Sequence, residues 1–159
     1  MVSHLVRETI SALRSGNPAW IESAVGYAVG LFEVAAGHPT PAEPAASDDP
    51  ATPDELTALR DALTDVANNA PAPGLAGSAL FALGKRYDPA LVNFFVRWLA
   101  DRRTEDPAAA YQAMIALDNL GVSVFDEPGP WGVDDTARNL RMADRFLRRV
   151  GANSAAGRE

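Results

Sequence analysis

Paired carboxylates are the side chains in this sequence whose spacing could support acid–base chemistry. Such catalysis needs two groups whose pKa values are separated by their surroundings. Asp126 and Glu127 form the pair that is flanked by aromatic residues, Phe125 and Trp131. Other acidic pairs stand in predicted loops or at helix starts, where acids favour the helix dipole or are simply solvated. An enzyme with an unfamiliar carboxylate site is therefore the least favoured of the functional hypotheses drawn from this sequence. We predict no catalytic residue.

Other reactive side chains give no pattern for a metal, a cofactor or a nucleophile. The chain has no cysteine, which excludes disulfides and thiolate chemistry. Its two histidines, His4 and His38, are interpreted as ordinary surface residues rather than metal ligands. Ser78 lies on a predicted helix instead of a strand-to-helix turn, and no Gly-Lys-Ser/Thr follows Gly74 and Gly77. The sequence thus predicts no metal site, no cofactor and no enzyme.

The segment 122–134 is too apolar for a plain spacer. Phe125 and Trp131, next to Asp126 and Glu127, combine aromatic anchors with charge, as interface hot spots do. In the alternative interpretation, Trp131 folds back to cap the end of the helices. Both interpretations stay open at this point, and the four residues are candidate partner contacts.

Arginines recur on one face of the last predicted helix, because their spacing of three, four and three residues matches the helical period. They are Arg138, Arg141, Arg145 and Arg148. This face could contact an acidic partner, a phosphate or an RNA. It could equally be a solvated face whose arginines pair with local acids such as Asp135 and Asp144.

The formal charge of −7 lies in the first half of the chain. Residues 1–70 hold ten acids against three arginines, whereas residues 71–159 hold eleven acids and eleven bases. This distribution argues against nucleic acid as the main partner, since phosphate binding uses clustered Lys and Arg. It suits a basic protein partner, with Asp54, Asp61 and Asp65 as candidate contacts. A solvated acidic surface is the alternative.

Helix starts and stops are marked by consistent signals. A capping residue followed by proline opens four helices, at Asn17, Thr52, Asp88 and Asp106. Glu55 completes a capping box with Thr52. Glycines are placed where helices should end, at Gly16, Gly37, Gly121 and Gly151. The predicted helices span 3–14, 18–36, 53–69, 75–86, 89–103, 107–120 and 135–150. No β-branched residues alternate with polar ones over a strand length, so we predict an all-α fold without a sheet.

The predicted organisation is a single all-α domain over residues 1–151. It contains a mobile, acidic, Pro/Ala-rich loop at 38–51 and ends in a flexible tail at 152–159. The most apolar stretch is interrupted by Glu22 and Glu33 and is too short to span a bilayer. No signal peptide is predicted, so a cytoplasmic location is expected. Within the same stretch, Gly26-x-x-x-Gly30 predicts close packing of a neighbouring helix.

Weak internal similarity runs through the second half of the chain. The stretch 78–84 is similar to 114–121, and each ends in Leu-Gly before a helix that opens with an aspartate. This pattern resembles a HEAT or armadillo repeat over residues 75–150. The resemblance implies antiparallel helix pairs in a short, irregular HEAT-like array. A tetratricopeptide-like or irregular helical bundle remains the alternative.

A small, acidic, cysteine-free helical domain resembles the bacterial immunity proteins that neutralise polymorphic toxins by blocking the toxin's active surface. This resemblance implies a protein-binding module without catalytic activity, an antitoxin whose acidic half and 122–134 loop contact a basic toxin domain. The alternative is a structural adaptor or regulatory subunit of a cytoplasmic complex, which would expose an apolar patch when alone. The oligomeric state is left open.

Overall fold

The computed structural model describes residues 3–37 and 51–156, with side chains to residue 151. Nearly all of the predicted loop 38–51 lies outside the described residues, as do residues 157–159. Seven α-helices and a short 3-10 turn at Pro89–Leu91 make up the described ranges, which contain no strand. The all-α prediction is therefore confirmed. The helices are α1 (His4–Leu13), α2 (Pro18–Ala35), α3 (Pro53–Asn69), α4 (Leu75–Gly84), α5 (Val92–Arg102), α6 (Pro107–Asn119) and α7 (Thr136–Ala156).

The predicted helix starts are confirmed by side-chain caps. The Asn17 Oδ1 atom accepts hydrogen bonds from the backbone N–H groups of the first turn of α2. Thr52 and Glu55 form the reciprocal capping box at α3. Asp88 and Asp106 cap the 3-10 turn and α6 in the same way. Each cap satisfies a backbone donor that has no partner inside the helix.

Three of the four predicted glycine stops are correct. Gly16, Gly37 and Gly121 have φ of +72°, +78° and +78°, the left-handed conformation that ends a helix cheaply at glycine. The prediction for Gly151 is wrong, because α7 continues through it to Ala156. A single glycine in a helix interior costs only about 1 kcal/mol relative to alanine, which is too little to end a helix by itself.

One compact unit comprises Met1–Tyr87 and holds α1 to α4. Within it α3 packs against α4 and α1, while α2 packs against α1 and α4. Phe32, Leu59 and Leu80 are fully buried among these helices. The carboxylate of Glu55 also accepts from the backbone N–H of Ser3, so the capping box of α3 holds the start of α1 as well.

The second compact unit comprises Asp88–Glu159 and holds α5 to α7. Here α6 packs against α5 and α7. The periodicity of α7 predicts an apolar stripe of Leu140, Ala143, Leu147 and Val150. Ala143 is buried as expected, but the other three are only half-buried, and Met142 and Phe146 are buried instead. The apolar arc of α7 is wide, and its packing against both α5 and α6 selects the Met142 side of it.

The HEAT-like pairing stays a prediction. In the predicted repeat α4 would pair with α5, and these two helices belong to different units. Within the described ranges, no helix is long and apolar enough to cross a membrane.

Candidate functional site

An aromatic cluster packs the 122–134 loop against α6 of the same unit. The ring of Phe125 meets Tyr111 of α6 edge to face at 6.0 Å and is tilted against Trp131 at 4.7 Å, both measured between ring centroids. Trp131 Nε1 donates a hydrogen bond to the backbone oxygen of Glu127 at 2.8 Å. The indole therefore folds over its own loop, while 39% of Trp131 stays exposed.

Arg145 of α7 binds both acids of this loop. Its Nε atom donates to Asp126 Oδ2 at 2.7 Å, and its Nη2 atom donates to Asp126 Oδ1 and to Glu127 Oε2, both at 2.6 Å. Arg149 adds a hydrogen bond to Asp126 at 3.2 Å. Such forked contacts between a guanidinium and a carboxylate have a defined geometry and are stronger than neutral hydrogen bonds. We call Asp126, Glu127, Arg145 and Arg149 the loop ion cluster.

The electrostatics of the loop ion cluster keep its groups ionised. Hydrogen bonds from Arg145, with a smaller contribution from Arg149, lower the pKa of Asp126 from 3.8 to about 2 against the opposing effect of desolvation. The hydrogen bond from Arg145 likewise lowers the pKa of Glu127, with Arg141 and Arg138 adding attraction. The two carboxylates in turn raise the pKa of Arg145.

Arg138 and Asn139 fix the second half of the loop. Arg138 donates to the backbone oxygens of Pro128 and Pro130, the latter at 3.0 Å. The buried Asn139 donates from Nδ2 to the oxygen of Gly132 at 2.8 Å. These contacts hold a segment that contains a cis Gly129–Pro130 peptide bond. Side-chain hydrogen bonds from α7 thus brace both halves of the loop.

This geometry changes the interpretation of the arginine face. Arg138 and Arg145 are engaged with the loop, and Arg141 lies 3.8 Å from Glu127 while its side chain is 58% exposed. Arg148 is exposed. The acids that pair with this face are mainly Asp126 and Glu127, at a sequence distance that helical periodicity cannot show. The face is closer to a locally paired surface than to an open strip for an acidic ligand.

The same contacts decide what the Asp126/Glu127 pair can do chemically. A carboxyl group that acts as general acid or base near neutral pH needs a raised pKa, which burial in an apolar pocket supplies. Here the pKa of both acids is lowered by guanidinium groups. The arrangement suits structural bracing of the loop rather than proton transfer.

The predicted acidic contacts lie together on α3, in the first unit. Asp54, Asp61 and Asp65 are all exposed, and their spacing of seven and four residues places them along one side of the helix. Arg60 forms an ion pair with Asp61 at 3.1 Å. The opposite side of α3 is buried against the core. We call Asp54, Asp61 and Asp65 the α3 acidic face.

Sequence reasoning missed an apolar surface on α2. Trp20, Tyr27 and Val34 are 61%, 54% and 51% exposed, and they recur every seven residues. The prediction that Gly26 and Gly30 receive a neighbouring helix is wrong for the described residues, because a Cβ added at either glycine would meet nothing within 4 Å. The signal was present in the sequence, since α2 is apolar around most of its circumference whereas one stripe suffices for a core.

Metal-binding groups do not gather in the part of the chain that the structure describes, where no cluster of three or more His, Cys, Asp or Glu occurs. His4 Nδ1 lies 3.1 Å from Glu8 Oε2 on the exposed side of α1. Sequence reasoning overlooked this pair, although its spacing of four residues is visible. His38 lies outside the described residues.

A comparison with known protein families, curated proteins and solved structures finds no match for this chain.

Proposed function

We propose that this chain is a protein-binding module that works as an immunity protein, neutralising a cognate bacterial toxin by covering a basic surface of that toxin. The α3 acidic face is the observation that supports this proposal. It presents three exposed carboxylates on a helix whose other side is packed into the core.

The physical case rests on charge and preorganisation. Carboxylates held along one helix side produce a directional field that accelerates encounter with a basic partner. Because α3 is anchored by its buried face and its capping box, little ordering entropy is lost on binding. A toxin that acts on nucleic acid needs a basic surface for phosphate, and an acidic helix competes for that surface.

The loop residues take a different part in the proposal. Asp126 and Glu127 are already paired with Arg145, so removing them from their cluster to reach a toxin would carry a cost. The exposed portion of Trp131 remains a suitable anchor for a partner. We therefore assign electrostatic recognition to the α3 acidic face and treat Phe125 and Trp131 as secondary apolar contacts.

The test is co-expression with the C-terminal domains encoded by neighbouring genes, scored by growth rescue and stoichiometric co-purification. The variant reverses charge on the α3 acidic face at all three positions, D54K/D61K/D65K. The matched control makes the same change in charge at exposed acids of the second unit, D101K/E105K/D118K. Rescue by the wild type and the control but not by the face variant, with unchanged helical circular dichroism, supports the proposal.

Two results would count against it. Equal rescue by the face variant would show that the α3 acidic face is not the contact. Stoichiometric binding to a non-toxic neighbour would favour the structural adaptor. The adaptor has its own supporting observation, the exposed apolar residues of α2, which an adaptor would use for constitutive assembly.

A further inference from the structure

The exposed side of α2 has the spacing of a coiled-coil seam. Trp20, Ser23, Tyr27, Gly30 and Val34 follow each other at three, four, three and four residues, which is the a/d spacing of two heptads. Four of these positions are exposed and Gly30 is half-buried. We call these five residues the α2 seam. It is distinct from the buried side of the helix, which includes Ile21, Ala28 and Phe32 and packs in the core.

Bulky and small residues alternate along the α2 seam. Trp20, Tyr27 and Val34 occupy one heptad position, and the small residues Ser23 and Gly30 occupy the other. If a second α2 lies antiparallel, Tyr27 faces Gly30 and Val34 faces Ser23 of the other copy, while Trp20 covers the turn that follows the helix. Every bulky side chain then meets a small residue or that turn, and the two copies form the same contacts in both directions, as a two-fold interface requires.

The charge around the α2 seam favours a second copy over a basic partner. Arg7, Glu8 and Arg14 line one surface cleft with Trp20, and Lys85 pairs with Glu33, which precedes Val34, so the surrounding charge is mixed in sign. The α3 acidic face of one copy would repel that of another, but this surface would not.

The available area is at the lower end of what a specific dimer uses. At their exposed fractions, Trp20 and Tyr27 offer about 300 Å² per copy, if a free aromatic side chain presents about 250 Å². With Val34, Ser23 and the bare backbone at the glycines, the two copies bury about 1,000 Å². An area of this size lies near the lower limit for specific association, so the expected dimer is a weak one.

From the spacing, the complementary sizes, the mixed charge and the area, we propose that the α2 seam binds a second copy of this chain, with the two α2 helices antiparallel. The inference goes beyond the toxin-binding proposal and does not depend on it. Dimerisation is measured on the purified chain alone, so its failure leaves the α3 acidic face untouched.

The first test is sedimentation equilibrium of the full chain up to about 100 μM, a range that covers a micromolar Kd. We expect a concentration-dependent dimer in the wild type. Tyr27→Arg should be monomeric throughout, with unchanged helical circular dichroism because Tyr27 is more than half exposed. The control Thr57→Arg, on an exposed site of α3, should dimerise like the wild type. A monomeric wild type, or a dimer indifferent to Tyr27→Arg, would overturn the proposal.

The second test fixes orientation and uses the absence of cysteine from the chain. Ser23→Cys mixed with Val34→Cys should form an intermolecular disulfide faster than either variant alone, because those positions face each other only when the helices are antiparallel. Rapid self-linking of each variant would indicate parallel helices and contradict the arrangement. A monomeric chain whose Tyr27→Arg variant loses a separate protein partner would overturn the proposal and assign the α2 seam to that partner instead.

Discussion

The Asp126→Asn substitution tests whether the loop ion cluster stabilises the fold. It removes one charge with little change in shape, so Arg145 loses the anion that its guanidinium binds at 2.6 and 2.7 Å. In the folded state the pKa of Asp126 is about 2 instead of 3.8. That difference corresponds to at most about 2 kcal/mol. Because the side chain is 28% exposed and water screens the pair, we expect a loss of about 1 kcal/mol at pH 7.

The stabilisation by Asp126 should decrease as the pH falls. The folded-state pKa of Asp126 lies below the unfolded value, so its contribution is complete above pH 3.8 and is lost as the pH falls through about 2. At pH 3 about half of the difference between wild type and variant should be gone. High salt should reduce the difference at pH 7, since the cluster is partly exposed.

Urea unfolding at pH 7 and pH 3 measures these free energies. The matched control is Asp101→Asn, which removes a charge from an exposed position of α5 in the same unit. It should change stability by less than about 0.5 kcal/mol at either pH. A null effect of Asp126→Asn at pH 7, or a loss that is the same at both pH values, would refute the assignment of stability to the cluster.

Three further predictions can be measured by the same urea titration. Trp131→Ala should cost about 1–2 kcal/mol of unfolding free energy, because the ring packs on the loop and the indole N–H is hydrogen-bonded. Trp20 is more exposed, so Trp20→Ala should stay within about 0.5 kcal/mol in dilute protein, and equal effects would contradict the packing described. Gly151→Ala should stabilise the fold by about 0.5 kcal/mol because the position is helical, whereas Gly121→Ala should destabilise it by about 1 kcal/mol because its φ is +78°. The reverse order would contradict the continuation of α7 through Gly151. Thr52→Ala should cost about 1 kcal/mol through the lost cap of α3, and no change would mean that the cap is not formed in solution.

Local signals made the helices predictable from the sequence. Asn17, Thr52 and Asp106 supply side-chain acceptors next to prolines, and both devices act within one helical turn. Gly16 and Gly37 act equally locally, since their left-handed conformation depends on their own backbone. Fold class and most helix bounds follow from such short-range chemistry.

Contacts that depend on tertiary packing were not predictable. Arg145 pairs with Asp126 at a separation of 19 residues, which no helical period reveals, and so its face was open to interpretation as a free basic strip. Glu55 was predicted as a cap residue, but its second bond to Ser3, 52 residues away, was not. Gly30 was expected to receive a neighbouring helix because an apolar helix suggests burial on all sides.

The candidate contact residues were likewise predictable only as far as local spacing and composition reach. Asp54, Asp61 and Asp65 could be placed on one side of α3 from spacing alone, and their exposure agrees with a role in binding. Residues of the 122–134 loop could be recognised as a group from composition, but not their internal bracing.

The most direct test of the central claim is calorimetric titration of the toxin domain identified by growth rescue into the wild-type chain, into D54K/D61K/D65K and into D101K/E105K/D118K. If the α3 acidic face binds a basic surface, affinity should fall by at least tenfold in the first variant, equivalent to about 1.4 kcal/mol. It should stay near wild type in the second, and wild-type affinity should weaken as salt rises. Equal affinities for all three proteins, or binding that is insensitive to salt, would contradict recognition through this face.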